Sequence, residues 1–335
     1  ALVFLIAMGA WETFWRSEGF TPSYRNSDGL WAMTRDRLDR EGPGGTVVIG
    51  SSRVLFDVNL EAWRDVTGRL PVQLALEGTN PRPVLRHLAN ETGFDGLLVV
   101  GVTPPLFFTP GFGFRGDAFE HWKTETWAEW AGQRISMTIE PYLAFYSFDT
   151  ALFTVARRQT WWPVRDGVPP DTVVRKLSNM RRTRQSDMWS KVELDHDYRQ
   201  IVRNTWLAIL NAPRETPPPE VMAEMLDGAL EEVATDVRAI RERGGEVVFV
   251  RMPSTGPFRE IESAAFGRDA HCEELLRRAD AAGVHFEDHD DLQDVEVPEW
   301  SHIRAGDTDR FTRALIGHVR AALEVRGVSR EELEP

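Results

Sequence analysis

Short apolar runs that end in turn residues recur along this chain and alternate with helix-like segments. They are TVVIG (46–50), PVQLAL (71–76), GLLVVGV (96–102), EVVFVRM (246–252) and VHFED (284–288). Runs of this length and composition predict strands buried on both faces of a sheet. Because such strands alternate with helices, we predict an α/β fold with a doubly wound parallel sheet of five strands.

The alternation stops between residues 104 and 219, a segment that we call the middle block. It has few strand-like runs, and it holds seven of the twelve tryptophans of the chain, including the pair in TWW at 160–162. We expect a mostly helical insertion at one edge of the active face of the sheet. Its tryptophans fit either a packed core or a platform for a sugar or a partner. The predicted organisation is the end of a membrane anchor (1–16), a connecting helical segment (17–45), a sheet domain in two parts (46–103 and 220–326) around the middle block (104–219), and a tail (327–335).

The charge balance limits the class of partner. The 335 residues carry a net charge of −13 at pH 7, so a nucleic acid is not expected as a ligand. With Cys272 as its one cysteine, the chain has no intrachain disulfide framework.

The amino terminus, ALVFLIAMGAWETFWR, begins with eleven uncharged residues and continues into Trp11, Phe14, Trp15 and Arg16. Eleven residues are too few to span a bilayer, but aromatic residues followed by a cation are typical of a membrane interface. The alternative is an amphipathic helix that packs on the core. We predict the end of a membrane anchor, with the remainder of the chain periplasmic or extracellular.

The segment VVIGSSRVLFDVN at 47–59 joins the first predicted strand to a helix through Gly50, Ser51 and Ser52. Gly-Ser-Ser is ordinary turn and helix-cap chemistry. It also places a hydroxyl at the carboxyl end of a strand, where open α/β sheets bind ligands. Ser52 is therefore a candidate nucleophile, provided that a base and an oxyanion site lie nearby.

A candidate base follows the last predicted strand. His302 lies in VPEWSHIRAGDTDRFTRAL, just before the final helix, and Glu299 precedes it by three residues. At that spacing the carboxylate can orient the imidazole as the third member of a triad. The simpler interpretation of His302 is a loop histidine at the entry to a helix.

Together these blocks resemble the SGNH (GDSL-like) hydrolase superfamily. The resemblance covers roughly residues 45–105 and 221–325, and it implies a flavodoxin-like sheet with Ser52 as nucleophile, His302 as base and Glu299 as the acid. It also implies an oxyanion site made by the backbone N–H groups of Ser52 and of Gly78 in LEGTN. A third block of that family carries an asparagine; here Thr103 occupies about that place, and Asn80 is an alternative amide donor.

The layout further resembles membrane-anchored SGNH proteins that act beside membrane-bound O-acyltransferases in the acylation of cell-envelope polymers. This resemblance implies a serine esterase or O-acyltransferase acting on acyl, most simply acetyl, esters of an envelope glycan or lipid. It also implies a membrane-bound O-acyltransferase as a partner. The alternative function is a catalytically weak or inactive binding or assembly partner in such a system.

Three further patterns leave alternatives open. Arg53 either pairs with a carboxylate behind the site or contacts an anionic substrate group. The basic cluster RKLSNMRRTR at 175–184 is either solvated surface or a contact for an anionic glycan or lipid headgroups. The acids and histidines of HFEDHDDLQD at 285–294 form either an acidic turn or a divalent-cation site. We predict no metal and no cofactor, since GFGFRG at 111–116 lacks the strand and helix of a dinucleotide-binding motif.

Overall fold

The computed structural model describes residues 2–111, 113–157, 175–213 and 217–328, and at its centre is a five-stranded, all-parallel sheet. The strands of the structure are β1 (Thr46–Ile49), β2 (Val72–Gln73), β3 (Leu97–Val102), β4 (Ser178–Met180), β5 (Ser186–Met188), β6 (Glu246–Arg251) and β7 (Ala282–His285). The order across the sheet is β2-β1-β3-β6-β7, while β4 and β5 form a separate antiparallel hairpin. Counting only strands of the sheet, this is the 2-1-3-4-5 order of flavodoxin-like folds. The predicted α/β class and parallel sheet are confirmed.

Helices cover both faces of the sheet. The described residues form α1 (Leu2–Ser17), α2 (Asp28–Glu41), α3 (Ser52–Asp57), α4 (Leu60–Thr67), α5 (Arg82–Asn90), α6 (Pro104–Phe107), α7 (Asp117–Thr124), α8 (Trp127–Ile139), α9 (Leu152–Arg157), α10 (Ser190–Leu194), α11 (His196–Leu210), α12 (Pro219–Arg241), α13 (Gly256–Ala265), α14 (Glu274–Ala279), α15 (Asp290–Gln293) and α16 (Thr308–Val325). Short 3₁₀ turns at Ala144–Tyr146, Phe148–Thr150, Phe286–Asp288 and Ala305–Asp307 and a π-helical turn at Asp269–Glu273 complete the helical elements.

Alternate residues of each strand enter two separate cores. Val47 and Ile49 pack on one face with α5, α12 and α14, whereas Val48 packs on the other face with α3, α4 and α16. All six residues of β3 are buried, which accounts for their apolar character without alternation. The sheet therefore forms the middle of three layers. The loops that follow its strands lie at its carboxyl edge, where open α/β sheets bind ligands.

The range of β2 covers two residues of the predicted 71–76 run, but its hydrogen bonds to β1 continue to the end of that run. The pairing of β2 with β1 extends past Gln73, since Leu74 N–H donates to Val48 O at 2.8 Å and Leu76 N–H to Gly50 O at 3.0 Å. The last strand begins two residues before the predicted VHFED run and ends at His285, where a 3₁₀ turn follows. Gly283 lies in this strand, and a Cβ at its position would come within 2.4 Å of Leu276 in α14. Because glycine is atypical of a strand, the sequence did not indicate that the strand begins before Val284.

The described part of the middle block contains several helices and also the β4–β5 hairpin, which the sequence did not reveal. The TWW pair at 160–162 lies outside the described residues. Arg184, at the tip of the hairpin, is fully buried and donates to Gln73 O at 2.8 Å and Ala75 O at 2.9 Å. These carbonyls belong to the outer edge of β2, so the hairpin covers an edge that would otherwise be unpaired.

The prediction of a membrane-anchored chain with a periplasmic or extracellular domain relied on α1 as the anchor, and this prediction is wrong. Within the described residues no helix has both the length and the apolar character to cross a bilayer. Helix α1 includes the charged residues Glu12 and Arg16. Glu12 accepts hydrogen bonds from the N–H groups of Ala144 and Phe145, both at 3.0 Å, so the second half of α1 is tied to the middle block.

Candidate functional site

Ser52 lies at the point where the chain leaves β1. It is the first residue of α3 and is partly exposed, while Ser51 before it is buried. The turn is tight because Val54 packs directly on the sheet; a Cβ on Gly50 or Gly101 would come within 2.7 Å or 1.8 Å of the Val54 side chain. As the first residue of the helix, Ser52 has a backbone N–H without an intrahelical acceptor.

Glu299 and His302 form a buried acid–base pair. Glu299 Oε1 accepts from His302 Nδ1 at 2.8 Å and from His302 N at 2.7 Å, and neither side chain is more than 2% exposed. Trp300 between them has φ of +75°, which turns the loop so that one carboxylate oxygen reaches both groups. Burial alone would raise the pKa of Glu299, but the His302 charge and the hydrogen bonds that the carboxylate accepts outweigh it and lower that pKa.

The His302 ring lies on the same side of α3 as Ser52. The ring stacks on Phe56 with centroids 4.2 Å apart, and Phe56 is one helical turn after Ser52. Two further contacts attach the histidine loop to this helix: Ile303 N–H donates to Asp57 Oδ1 at 2.8 Å, and Arg53 Nε donates to Ser301 Oγ at 3.4 Å. The structure thus packs the loop of Glu299 and His302 against α3, the helix that begins at Ser52.

The second nitrogen of the His302 imidazole is buried and makes no hydrogen bond to any described residue. Among the described residues, His302 Nε2 has no hydrogen-bond partner, and it is not bonded to Ser52 Oγ. With Nδ1 held by Glu299, Nε2 is the nitrogen left for proton exchange with a nucleophile. Hydrogen bonds between nucleophile and base are often long in unliganded sites and shorten when substrate binds.

Gly78 lies beside Ser52 beyond the same sheet edge. Leu76 pairs with Gly50, and each chain continues for two more residues to reach Gly78 and Ser52. Gly78 has φ of +55°, and its carbonyl accepts from Phe114 N–H at 3.0 Å, while no described residue accepts from its own N–H. Neither N–H group, of Gly78 or of Ser52, has an acceptor among the described residues, as the predicted oxyanion donors require.

The two other candidate oxyanion donors are occupied in the structure. Both hydrogens of the Asn80 amide are engaged, with donor–acceptor distances of 3.3 Å to Thr109 O and 3.2 Å to Gly111 O. Thr103 Oγ1 is 2.6 Å from Ser51 Oγ, so these two hydroxyls bond to each other across the ends of β1 and β3. Asn80 thus fixes a loop, and Thr103 positions the serine turn.

Arg53 is buried and paired instead of facing the cleft. Its guanidinium makes a bidentate ion pair with Glu262, at 3.1 and 2.6 Å, and it is 1% exposed. Glu262 also accepts from Arg251 and from Ser254 Oγ, the latter at 2.8 Å. Of the two alternatives for Arg53, pairing with a carboxylate is the one that the structure shows. The predicted contact of Arg53 with an anionic substrate group is not part of the proposal below.

Sequence reasoning missed two residues of the site. Trp206 in α11 donates its indole N–H to Glu299 Oε2, so the middle block supplies the second hydrogen bond of the acid. Asp57 ends α3 fully buried, and its Oδ2 has no partner among the described residues. Burial raises the pKa of Asp57 well above its ordinary value, with a smaller contribution from the charge of Glu299. A tryptophan-rich segment was the one signal for Trp206; nothing in the sequence pointed to Asp57.

The alternative divalent-cation site at 285–294 is not assembled. Within the described residues, no three His, Cys, Asp or Glu side chains converge as metal ligands do. Instead Asp288 pairs with Arg268 at 2.6 Å, Asp294 with Arg310 at 2.6 Å, and Asp291 with His318 at 2.9 Å. These acids form surface ion pairs.

Comparisons of the chain with protein-family models, with curated proteins and with solved structures find no match. The likeness to the SGNH superfamily therefore depends on the motif residues and on the arrangement described above.

Proposed function

We propose that the chain is an SGNH-type serine hydrolase or O-acyltransferase, with the middle block as an insertion in its flavodoxin-like sheet. The observation that carries the proposal is the buried Glu299–His302 pair, whose ring stacks on Phe56, one helical turn after Ser52, and whose Nε2 has no partner among the described residues. A carboxylate that holds one imidazole nitrogen while the other is left beside a serine is the arrangement of hydrolytic triads.

In the proposed reaction, Ser52 Oγ attacks the carbonyl carbon of an acyl ester and His302 Nε2 takes the serine proton. Glu299 keeps the ring oriented and stabilises its positive charge. The N–H groups of Ser52 and Gly78 stabilise the oxyanion. His302 then donates the proton to the leaving alcohol. Water as acceptor completes hydrolysis, and a sugar or lipid hydroxyl completes acyl transfer.

The substrate class in this proposal comes from the family resemblance. An acyl, most simply acetyl, ester of a glycan or lipid suits that resemblance, and a membrane-bound O-acyltransferase is the proposed source of acyl groups. Helix α11 of the middle block contributes Trp206 to the acid and Arg203 to the carbonyl of Pro298, so this block forms one side of the site. We expect it to select the acceptor.

Labelling with a fluorophosphonate tests the nucleophile directly. The wild-type chain should be labelled, and Ser52→Ala should not be. Ser51→Ala is the matched control, because it removes the neighbouring hydroxyl, and it should still be labelled. Equal labelling of the wild type and Ser52→Ala would contradict the assignment.

Turnover of an activated acetyl ester tests the triad as a unit. Ser52→Ala and His302→Ala should each remove nearly all activity, because nucleophile and base act together. Glu299→Gln should cost less than either, since an amide still positions the ring but does not stabilise its charge. A His302→Ala variant that retained its turnover would rule out this base.

One observation favours the second candidate, an inactive binding or assembly partner. His302 is 2% exposed, and neither Asn80 nor Thr103 is free to join the oxyanion site. A folded wild-type chain that neither reacts with the fluorophosphonate nor cleaves the ester would support this candidate over the enzyme.

A further inference from the structure

A cleft rich in arginine lies on the molecule away from the candidate catalytic site. Its volume is about 500 Å³, within the range of small-molecule sites. Its lining comprises Met33, Thr34, Arg37, Arg40, Glu41, Arg69, Leu70, Met137, Arg182 and Thr183. The lining thus carries four guanidinium groups and one carboxylate. This local excess of positive charge contrasts with the net charge of −13 of the whole chain.

The cleft lies at the opposite edge of the sheet from Ser52. Arg69 precedes β2, and its guanidinium packs over Gly45, where a Cβ would come within 3.3 Å of the arginine Cζ. Gly45 in turn precedes β1. Because parallel strands share one direction, this is the amino edge, separated from the serine turn by the length of β1, roughly 13 Å.

Among the residues that the structure describes, three of the four arginines have no acidic partner. Arg37 pairs with Glu41 at 2.8 Å and donates to Leu70 O at 2.6 Å, which fixes the wall formed by α2. Among the described residues, no carboxylate forms an ion pair with Arg40, Arg69 or Arg182. Arg182 comes from the turn of the β4–β5 hairpin, so separate parts of the chain bring these charges together.

The remaining lining is apolar. Met33, Leu70 and Met137 contribute side chains from α2, from the segment before β2 and from α8. Guanidinium groups bind phosphate and carboxylate oxygens through paired N–H donors, and a cleft lined by one sign of charge concentrates ions of the other sign. An apolar surface beside them suits a ligand whose charged group carries a hydrophobic substituent.

We propose that this cleft binds a small organic phosphate, with its phosphate on Arg69 and Arg182 and its apolar part on Met33, Leu70 and Met137. The inference is independent of the esterase proposal, because it involves neither the serine turn nor the histidine loop. It gives the basic cluster at 175–184 a role through Arg182.

Isothermal titration with phenyl phosphate at fixed ionic strength tests the charged half of the site. The double variant Arg69→Gln/Arg182→Gln should bind at least tenfold more weakly than the wild type. Both side chains are exposed and lack ion pairs, so the variant should unfold at the wild-type temperature. The matched control is Arg64→Gln/Arg181→Gln, which removes the same charge from neighbouring positions outside the cleft, and its affinity should change less than twofold.

Three outcomes would overturn the proposal: no binding to the wild type, equal binding by the cleft variant, or an equal loss in the control variant. Inorganic phosphate tests the apolar half under the same conditions. It should bind the wild type more weakly than phenyl phosphate does. Equal affinity for the two ligands would show that the apolar lining takes no part.

Discussion

At the scale of single residues, the charges behind the candidate site determine how the protein should respond to pH. Glu262 is 2% exposed between Arg53 and Arg251. Burial by itself would raise the pKa of Glu262, but the two guanidinium charges outweigh it and bring the pKa to about 2. Asp57 lies nearby with a pKa shifted in the opposite direction. The two acids should therefore affect stability at opposite ends of the pH range.

Glu262 should stabilise the fold above about pH 4.5, and this contribution should disappear as the pH falls toward 2. The sign follows from a pKa that is lower in the folded state, and a shift from 4.5 to about 2 corresponds to roughly 3 kcal/mol. Urea unfolding of the wild type and Glu262→Gln at pH 6 and pH 3 measures the effect. The difference between them should shrink at pH 3. Glu260→Gln, exposed on the same helix, should show no such change.

Asp57 should reduce the stability of the fold as the pH rises. Its pKa is raised in the folded state, so the folded protein favours the protonated acid, and the stabilising contribution is lost once the carboxyl ionises. Asp57→Asn keeps an oxygen for Ile303 N–H and removes the ionisation. Its free energy of unfolding relative to wild type should increase from pH 4 to pH 8. A constant difference across that range would contradict this account.

At the scale of elements, α11 is the part of the middle block that acts on the acid–base pair. Trp206 donates to Glu299, its ring packs against Phe258 with centroids 5.9 Å apart, and Arg203 donates to Pro298 O at 3.0 Å. Helix α11 thus contacts a side chain and a backbone carbonyl of the loop that carries Glu299. Its docking and the orientation of His302 are linked through Glu299.

Trp206→Phe should reduce ester turnover on the order of tenfold, because it leaves a buried carboxylate oxygen without its donor. That hydrogen bond lowers the pKa of Glu299, so its loss should move the acidic limb of the pH–rate profile to higher pH. A structural role alone would not move this limb. Trp130→Phe, at a tryptophan 40% exposed on α8, is the control and should leave both rate and profile unchanged.

At the scale of the whole molecule, the β4–β5 hairpin covers the outer edge of the sheet. Among the described residues no strand pairs with the outer carbonyls of β2 and of the segment that continues it, and Arg184 donates to two of them. Burial lowers the pKa of Arg184 to about 9, partly offset by Glu77, so this cation is held in a low-dielectric position. The sheet and the hairpin should therefore unfold together.

Arg184→Ala should destabilise the fold by about 2–4 kcal/mol, because two buried carbonyls lose their donor. It should also increase aggregation, since the edge of β2 becomes open to another chain. Urea unfolding and light scattering measure the two effects. Arg181→Ala, three residues earlier on the surface of the hairpin, should do neither. An Arg184→Ala variant as stable as Arg181→Ala would show that the hairpin does not protect this edge.

The sequence by itself determined the parallel sheet and the edge of it near which the residues of the proposed triad lie. Runs of β-branched and apolar residues predict buried strands wherever they occur, and the parallel order then places the ends of β1, β2 and β7 at one edge. Ser52, Gly78, Glu299 and His302 follow from that topology. The start of β7 did not follow, because Gly283, which lies against Leu276 of α14, is atypical of a strand.

Tertiary structure alone decided which polar groups pair. Asn80 and Thr103 have the chemistry of oxyanion donors, yet each hydrogen-bonds elsewhere, and Arg53 pairs with an acid 209 positions away in the chain. Trp206 and Arg184 reach their partners over 93 and 109 to 111 positions. The spacing of apolar residues in the sequence indicates which face of a strand or helix is apolar. The partner of a buried polar group depends on which distant segment is packed against it, and no periodicity in the sequence encodes that.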